Sequence, residues 1–436
     1  MATNPEIRVN DCPIGKREWE RVNMDVSIGG PSAVHERRRY FVSLAVLTTL
    51  FFMWGAITSL NDILLPHLKA AFALDYTQAT LIQFTFFTAY FLVSLPAGWI
   101  VQRIGYKQGI IAGLATAALG CLMFLPAAGL QIYGIFLGAL FVLASGITVL
   151  QVSANPYVAI IGPAASASAR LNQTQAFNSL GTTVAPYVGA TLILGGATGS
   201  ASALAEVSSV KLPYLGLAVT LIAIAALVAA IRLPVIGPAT AAGGDETPAG
   251  GIGRQRHLLL GAVAIFLYVG GEVSIGSFLV SFLSQPDIGG LTPATAGKYL
   301  SYYWGGAMVG RFVGAAVLTR IDAGRALAFH ALAAMVLVAV SVISTGSAAM
   351  WAILAVGLCN SIMFPTIFTL GIQDLGQYTA RGSGLLCMAI VGGALVPLVQ
   401  GHLADRIGVH ASFVVPAVCY LYIIYYGARG SIPRAG

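Results

Sequence analysis

Apolar stretches of about 20 residues, each long enough to cross ~30 Å of hydrocarbon, follow one another along this chain almost without pause. Twelve are legible, near residues 41–66, 77–99, 108–128, 131–161, 171–196, 212–233, 257–284, 296–319, 325–345, 348–373, 383–401 and 409–427. Lipid offers the backbone no hydrogen-bond partner, so a spanning segment must satisfy its own groups as a helix or close into a barrel. These runs lack the polar alternation of barrel strands, which predicts helices. Of the 436 residues 57% are hydrophobic and 9% charged. Soluble domains carry roughly a quarter charged residues, so an ordinary water-soluble enzyme is excluded. The expected fold class is all-α and integral to the membrane.

The chain repeats itself. Arg170, Gly181 and Pro186 recur as Arg381, Gly392 and Pro397, and Gly146 as Gly357, each 211 positions on. Among 51 glycines coincidences are easy, so the Arg and Pro pairs weigh more. A Gly-, Ala- and Pro-rich segment at 234–253 has the composition of a flexible linker. The expected organisation is a disordered cytoplasmic tail (1–40), a six-helix bundle (41–233), a linker (234–256), a second six-helix bundle (257–428) and a short tail (429–436).

The net charge of +7 speaks to topology rather than to nucleic acid. With the N-terminus inside, Arg37, Arg38, Arg39, Arg103, Lys107, Arg170, Arg232, Arg254, Arg256, Arg320, Arg325, Arg381, Arg429 and Arg434 are internal, and only Lys69, Lys211, Lys298 and Arg406 are external. That is the positive-inside pattern and predicts both termini in the cytoplasm. The five cysteines show no paired spacing and read as small buried hydrophobes. Histidines offer no metal-ligand spacing, and no nucleotide loop or nucleophile elbow is present, so no cofactor, metal or enzymatic activity is expected.

Two acids stand alone in apolar runs. Asp62 is the only charged residue between Tyr40 and Leu68, and Glu272 the only one between His257 and Pro286; they lie 210 positions apart. A carboxylate in a bilayer is costly and normally faces a cavity where it has a role. In a duplicated apolar chain this points to a transporter with its coupling ion at the midplane. Burial raises a carboxylate's pKa, which suits Asp62 to loading a proton on one side and releasing it on the other; the plain alternative is a structural aspartate bonded to backbone near Pro66. Glu272 suits coupling, a sodium site, sugar contact or helix packing. Arg311, mid-helix, requires an acid such as Asp322, free carbonyls or a helix end, unless it serves as a gate.

Gly98-Trp99-Ile100-Val101-Gln102-Arg103-Ile104-Gly105-Tyr106-Lys107 resembles the G-x-x-x-D-R-x-G-R-K loop signature of the major facilitator superfamily. Gln102 stands here for the acid and Tyr106 for a base. In that family the loop locks the two halves in one state, which makes Gly98, Arg103, Gly105 and Lys107 candidate gating residues with a weakened lock. Arg320–Arg325 is a degenerate second copy, and residues 401–408 match the signature better but fall after the eleventh helix, on the outside.

Further resemblance lies in Asn61-Asp62-Ile63-Leu64-Leu65-Pro66, Ala154-Asn155-Pro156-Tyr157 and Gln175-Ala176-Phe177-Asn178-Ser179-Leu180-Gly181. These are similar to the fucose permease group, most of all its glucose/galactose branch. The resemblance implies a sugar symporter of the bacterial inner membrane, with Asp62 matching the proton-linked aspartate. Fucose permeases carry a second acid where this chain has Gln151, which cannot release a proton.

Sugars present hydroxyls that both donate and accept, and planar amides match them in pairs. Gln83, Gln151, Asn155, Gln175, Asn178 and Asn360 lie within predicted helices, with Gln151/Asn155 and Gln175/Asn178 each on one helix face. With Asn61 they are the candidate sugar contacts; the alternative for each is helix-to-helix bonding. Trp304 suits stacking on a pyranose or an interfacial belt. The function expected is a monomeric twelve-helix secondary transporter of a hexose, glucose or galactose foremost, coupled to protons through Asp62. Rivals are sodium coupling, L-fucose or N-acetylglucosamine as cargo, and an uncoupled uniporter.

Overall fold

Helix is the outcome wherever those apolar runs are described. The computed structural model of the chain describes residues 40–59, 76–130, 132–189, 211–231, 233–234 and 251–433. The N-terminal tail before Tyr40, linker residues 235–250, Asn61 and Asp62 lie outside the described residues. The first half comprises α1 (Tyr40–Ser59), α2 (Tyr76–Ile104), α3 (Tyr106–Leu130), α4 (Tyr133–Ile160), α5 (Ala167–Gly189) and α6 (Lys211–Ala230). The second comprises α7 (Arg256–Leu283), α8 (Pro293–Val317), α9 (Ala323–Ile343), α10 (Gly346–Gly371), α11 (Gly376–Ile407) and α12 (Val409–Gly430). Ten of the twelve are long and apolar enough to cross a membrane. The other two are α5, which carries Arg170, Asn172, Gln173, Gln175 and Asn178, and α8, which carries Lys298 and Arg311. In lipid such polarity must turn to the protein interior, and these are the two helices that meet at the centre.

The two halves join as the repeat requires. α2 packs on α11, and its repeat-mate α8 packs on α5; α4 meets α11, and its mate α10 meets α5. Gly181 and Gly392 fill the same role in each half. A Cβ on Gly181 would come within 2.1 Å of the Phe52 carbonyl on α1, and one on Gly392 within 2.0 Å of the Phe266 carbonyl on α7. Small residues let membrane helices approach this closely. Many large apolar side chains stay exposed, among them Leu92, Val219, Phe329 and Ile343, as expected of a surface solvated by lipid tails.

Arg170 and Arg381, the clearest repeat pair, have diverged. Arg170 donates from Nε to the Val158 carbonyl (3.2 Å) and from Nη2 to that of Ala159, in the last turn of α4. Nη1 reaches the Pro163 carbonyl at 2.8 Å. A cation there complements the negative helix end. Arg381 instead lies over the Trp99 ring of the other half, 5.6 Å from its centroid.

One end of the molecule gathers the basic residues and closes the two halves on each other. Gln102 Nε2 donates to the Gln377 carbonyl at 3.0 Å, and the Ser383 hydroxyl to the Val152 carbonyl at 2.9 Å. Ser168 and Thr369 share a 2.6 Å hydrogen bond, also across the halves. A Cβ on Gly98 would sit 2.9 Å from the Ala380 carbonyl. The expected loop at 98–107 is largely helix: α2 continues through Arg103 to Ile104, Gly105 turns the chain at φ 85°, and Tyr106 opens α3. The helix runs on through Pro96 and Gly98, and only Gly105 takes the left-handed φ that ends it, so the signature sits on a helix end. Lys107 reaches back within its own half, donating to the Ala229 and Ile231 carbonyls at 2.8 Å and so capping α6. The copy at 401–408 is likewise the end of α11, stopped by Gly408 at φ 87°.

Candidate functional site

A cavity of about 550 Å³ lies between the halves, lined by Ser59 of α1, Asn178, Ser179, Thr182 and Thr183 of α5, and Gly297, Leu300, Ser301, Trp304, Gly305, Ala307 and Arg311 of α8. Its lining runs along α8 from Gly297, near the end opposite the basic seal, to Arg311, about 21 Å deeper along the axis. That volume is ordinary for a small-molecule site. The two walls differ in chemistry. α5 presents an amide and three hydroxyls, whereas α8 presents Leu300, Ala307 and the indole of Trp304, which is 42% exposed, with Ser301 and Arg311 as its polar members. One wall therefore suits hydroxyls and the other suits C–H faces.

Arg311 forms the deep end, and Pro365 explains how it is held. A proline has no N–H for the carbonyl four residues earlier. α10 accordingly breaks after Asn360 and resumes at Met363. The Ser361 carbonyl thus freed accepts from Arg311 Nε at 3.1 Å, and Arg311 Nη1 donates to the Ser179 hydroxyl of the opposite half. Asp322, considered as an acid partner for Arg311, has another task. Its carboxylate accepts from the Arg325 amide at 2.9 Å and caps the start of α9, as a short acid at an N-cap favours. Among the described residues no Lys or Arg lies within 4 Å of an Asp or Glu carboxylate; His410 Nδ1 lies 3.7 Å from Asp287 Oδ2.

Behind α8 a polar cluster ties four helices of the second half. Asn360 donates from Nδ2 to the Tyr303 hydroxyl (2.8 Å) and accepts at Oδ1 from Tyr420 (2.7 Å). The Tyr268 hydroxyl lies 2.7 Å from Glu272 Oε1 and 3.1 Å from the Asn360 carbonyl, one proton serving two acceptors. Glu272 is therefore inside the protein, bonded to a tyrosine one turn before it.

The sequence-predicted residues fall into three sets. Asn178 and Trp304 line the cavity, although Asn178 already donates to the Phe51 carbonyl at 2.9 Å. Gln151, Asn155, Gln175, Asn360 and Glu272 are in buried bonds: Gln151 with the Tyr90 hydroxyl, Gln175 with Asn155 Oδ1 at 3.4 Å. Asn155 keeps its Nδ2 without a partner. Gln83 is exposed near the start of α2. Sequence reasoning missed the hydroxyls Ser59, Ser179, Thr182, Thr183 and Ser301, because a serine or threonine in a helix ordinarily bonds its own preceding turn. Thr182 and Thr183 do so here, both to the Ser179 carbonyl at 2.8 Å. Their i, i+4 spacing from Asn178 and Ser179 was the available signal.

Comparison with known proteins places this architecture. The Major Facilitator Superfamily profile matches residues 44–390. The chain is 56% identical over 395 residues to the glucose/galactose transporter of Brucella abortus (strain 2308), covering 91% of this chain and 95% of that one. It is 34% identical over 410 residues to the L-fucose-proton symporter of Escherichia coli (strain K12), covering 90% and 93%. The solved structure of FucP in the outward conformation aligns with a TM-score of 0.83 at 34% identity, over 89% of this chain and 99% of that one. The proton:xylose symporter XylE, 11% identical, shares the fold with a TM-score of 0.74, over 91% and 97%. Twelve helices in two repeated halves, a central cavity and these likenesses agree: the chain belongs to the Major Facilitator Superfamily, in the group that holds fucose symporters and glucose/galactose transporters.

Proposed function

We propose that this chain is a secondary transporter that brings a hexose, glucose or galactose, across a bacterial inner membrane by alternating access, with uptake coupled to protons through Asp62. The observation that carries the reading is the cavity between the halves, hydroxyl- and amide-lined on one wall and, apart from Ser301 and Arg311, apolar or glycine-lined on the other, in a chain 56% identical to a glucose/galactose transporter. A pyranose has hydroxyls around its rim and C–H faces above and below, and both walls find a match. The basic end is the cytoplasmic face in this account, with both termini on that side, as the positive-inside rule orients such a bundle. The structure then has its inner side shut by α2 against α11 and its cavity on the outer side. Transport follows when the halves rock to open the seal and close the cavity from outside. One chain contains the whole path, so the working unit is a monomer.

Asp62 belongs to the coupling step because it is the lone acid of the first span, and Ser59, three positions before it, lines the cavity. Glu272, bonded to Tyr268 behind α8, is the second candidate coupling acid. The test is uptake of labelled glucose and galactose into proteoliposomes under an imposed proton gradient or an imposed sodium gradient. Accumulation driven by the proton gradient alone is the expected result. Accumulation driven by sodium alone would keep the transporter and replace the ion. No hexose uptake under either gradient would remove the assignment.

A further inference from the structure

Arg311 is the one cation in the cavity lining, and its anchoring is specific to this site. Its Nε is fixed to a carbonyl that exists as a free acceptor only because Pro365 breaks α10, and its Nη1 crosses to Ser179 in the other half. A guanidinium has more N–H donors than those two bonds consume, and the side chain lines the cavity. The repeat offers a comparison. The counterpart contact, α2 on α11, closes by helix packing around Gly98 and Gly384, with its cation, Arg381, lying over the Trp99 ring instead of entering a cavity. At the α5–α8 contact Phe177 and Phe312 pack edge to face, 5.5 Å between ring centroids.

We propose that Arg311 is a specificity-determining sugar contact whose bond to Ser179 holds α5 and α8 together at the deep end of the cavity until a sugar hydroxyl takes that donor. This rests on the hexose reading given above. Ser179 and the sugar compete for the same N–H, so binding loosens one side of the joint between the halves at the moment the cavity fills. The Ser361 anchor keeps the guanidinium aimed during the exchange, since its acceptor is backbone.

Calorimetric titration of the purified full chain with galactose, and with a series of singly deoxygenated galactoses, tests this. Arg311→Gln should bind galactose about tenfold more weakly, the size of a charge-assisted hydrogen bond. It should also stop distinguishing galactose from the one deoxy analogue that wild type rejects. Ser179→Ala should bind several-fold more tightly, by removing the competitor, and the gain should vanish in the Arg311→Gln background. Should Arg311→Gln fail to fold, Pro365→Ala serves. It restores an N–H to the Ser361 carbonyl, strips Arg311 of its anchor, and should weaken binding without altering a cavity residue. Unchanged affinity in Ser179→Ala together with retained analogue discrimination in Arg311→Gln, or unchanged affinity in Pro365→Ala where that variant stands in, overturns the proposal. A wild-type protein that binds no hexose overturns both this proposal and the reading on which it rests.

Discussion

Asp62→Asn is expected to abolish gradient-driven accumulation of hexose while leaving exchange of sugar across the membrane intact. Asparagine keeps the size and hydrogen-bonding capacity of the aspartate but has no proton to load or release. A neutral side chain mimics the loaded carrier, so the sugar-bound protein still rocks and exchanges its cargo. With one proton per sugar, one pH unit across the membrane sustains about tenfold accumulation, from the ~1.4 kcal/mol that one unit supplies. In the variant that ratio should fall to one. Measuring accumulation and exchange in the same vesicles separates the two steps. Equal loss of both, with normal folding by thermal melt, would make Asp62 structural.

Locking the basic end should stop transport altogether. Gln102 and Gln377 meet across the halves, with Gln102 Nε2 3.0 Å from the Gln377 backbone carbonyl. Cysteines at both positions, joined by a short bifunctional thiol reagent, should eliminate uptake and exchange together, because the seal can no longer part. Each single-cysteine variant treated alike should retain activity. Among the described residues the native cysteines are free thiols, buried at 121, 387 and 419 and half-buried at 359, which limits background labelling. Full transport in the cross-linked protein would mean that the α2–α11 contact does not open in the cycle. The seal itself is largely uncharged, an amide on a carbonyl and Trp99 under Arg381, so raised salt should weaken it less than it would an ion pair.

Much of this was legible in the sequence, for physical reasons. Spanning helices are announced by length and apolarity, and the repeat by residues that cannot be exchanged cheaply. Gly181 and Gly392 were matched by offset alone, and the structure shows why both are glycine: a Cβ at either would press on the carbonyl of a neighbouring helix. Arg170 and Arg381 were matched in the same way, yet their contacts differ, because a side chain at a helix end takes whichever carbonyl or ring its neighbours offer. The amides were visible as polar residues in apolar runs, but their partners were not. Tyr90, Tyr268, Tyr303 and Tyr420 hold Gln151, Glu272 and Asn360, and a tyrosine in a membrane helix carries no mark of what its hydroxyl will meet. Arg311 shows the limit most clearly. Its first anchor is a backbone carbonyl exposed by a proline 54 positions on, and its second is a serine in the other half, neither of which local pattern reveals.

The measurement that tests the central claim most directly is counterflow. Proteoliposomes loaded with unlabelled glucose, placed in dilute labelled galactose with no ion gradient, should draw in label above its external concentration and then release it. Only a carrier whose single hexose site faces each side in turn produces that overshoot. Labelled galactose that never exceeds its external concentration, in vesicles holding folded protein, would contradict the account.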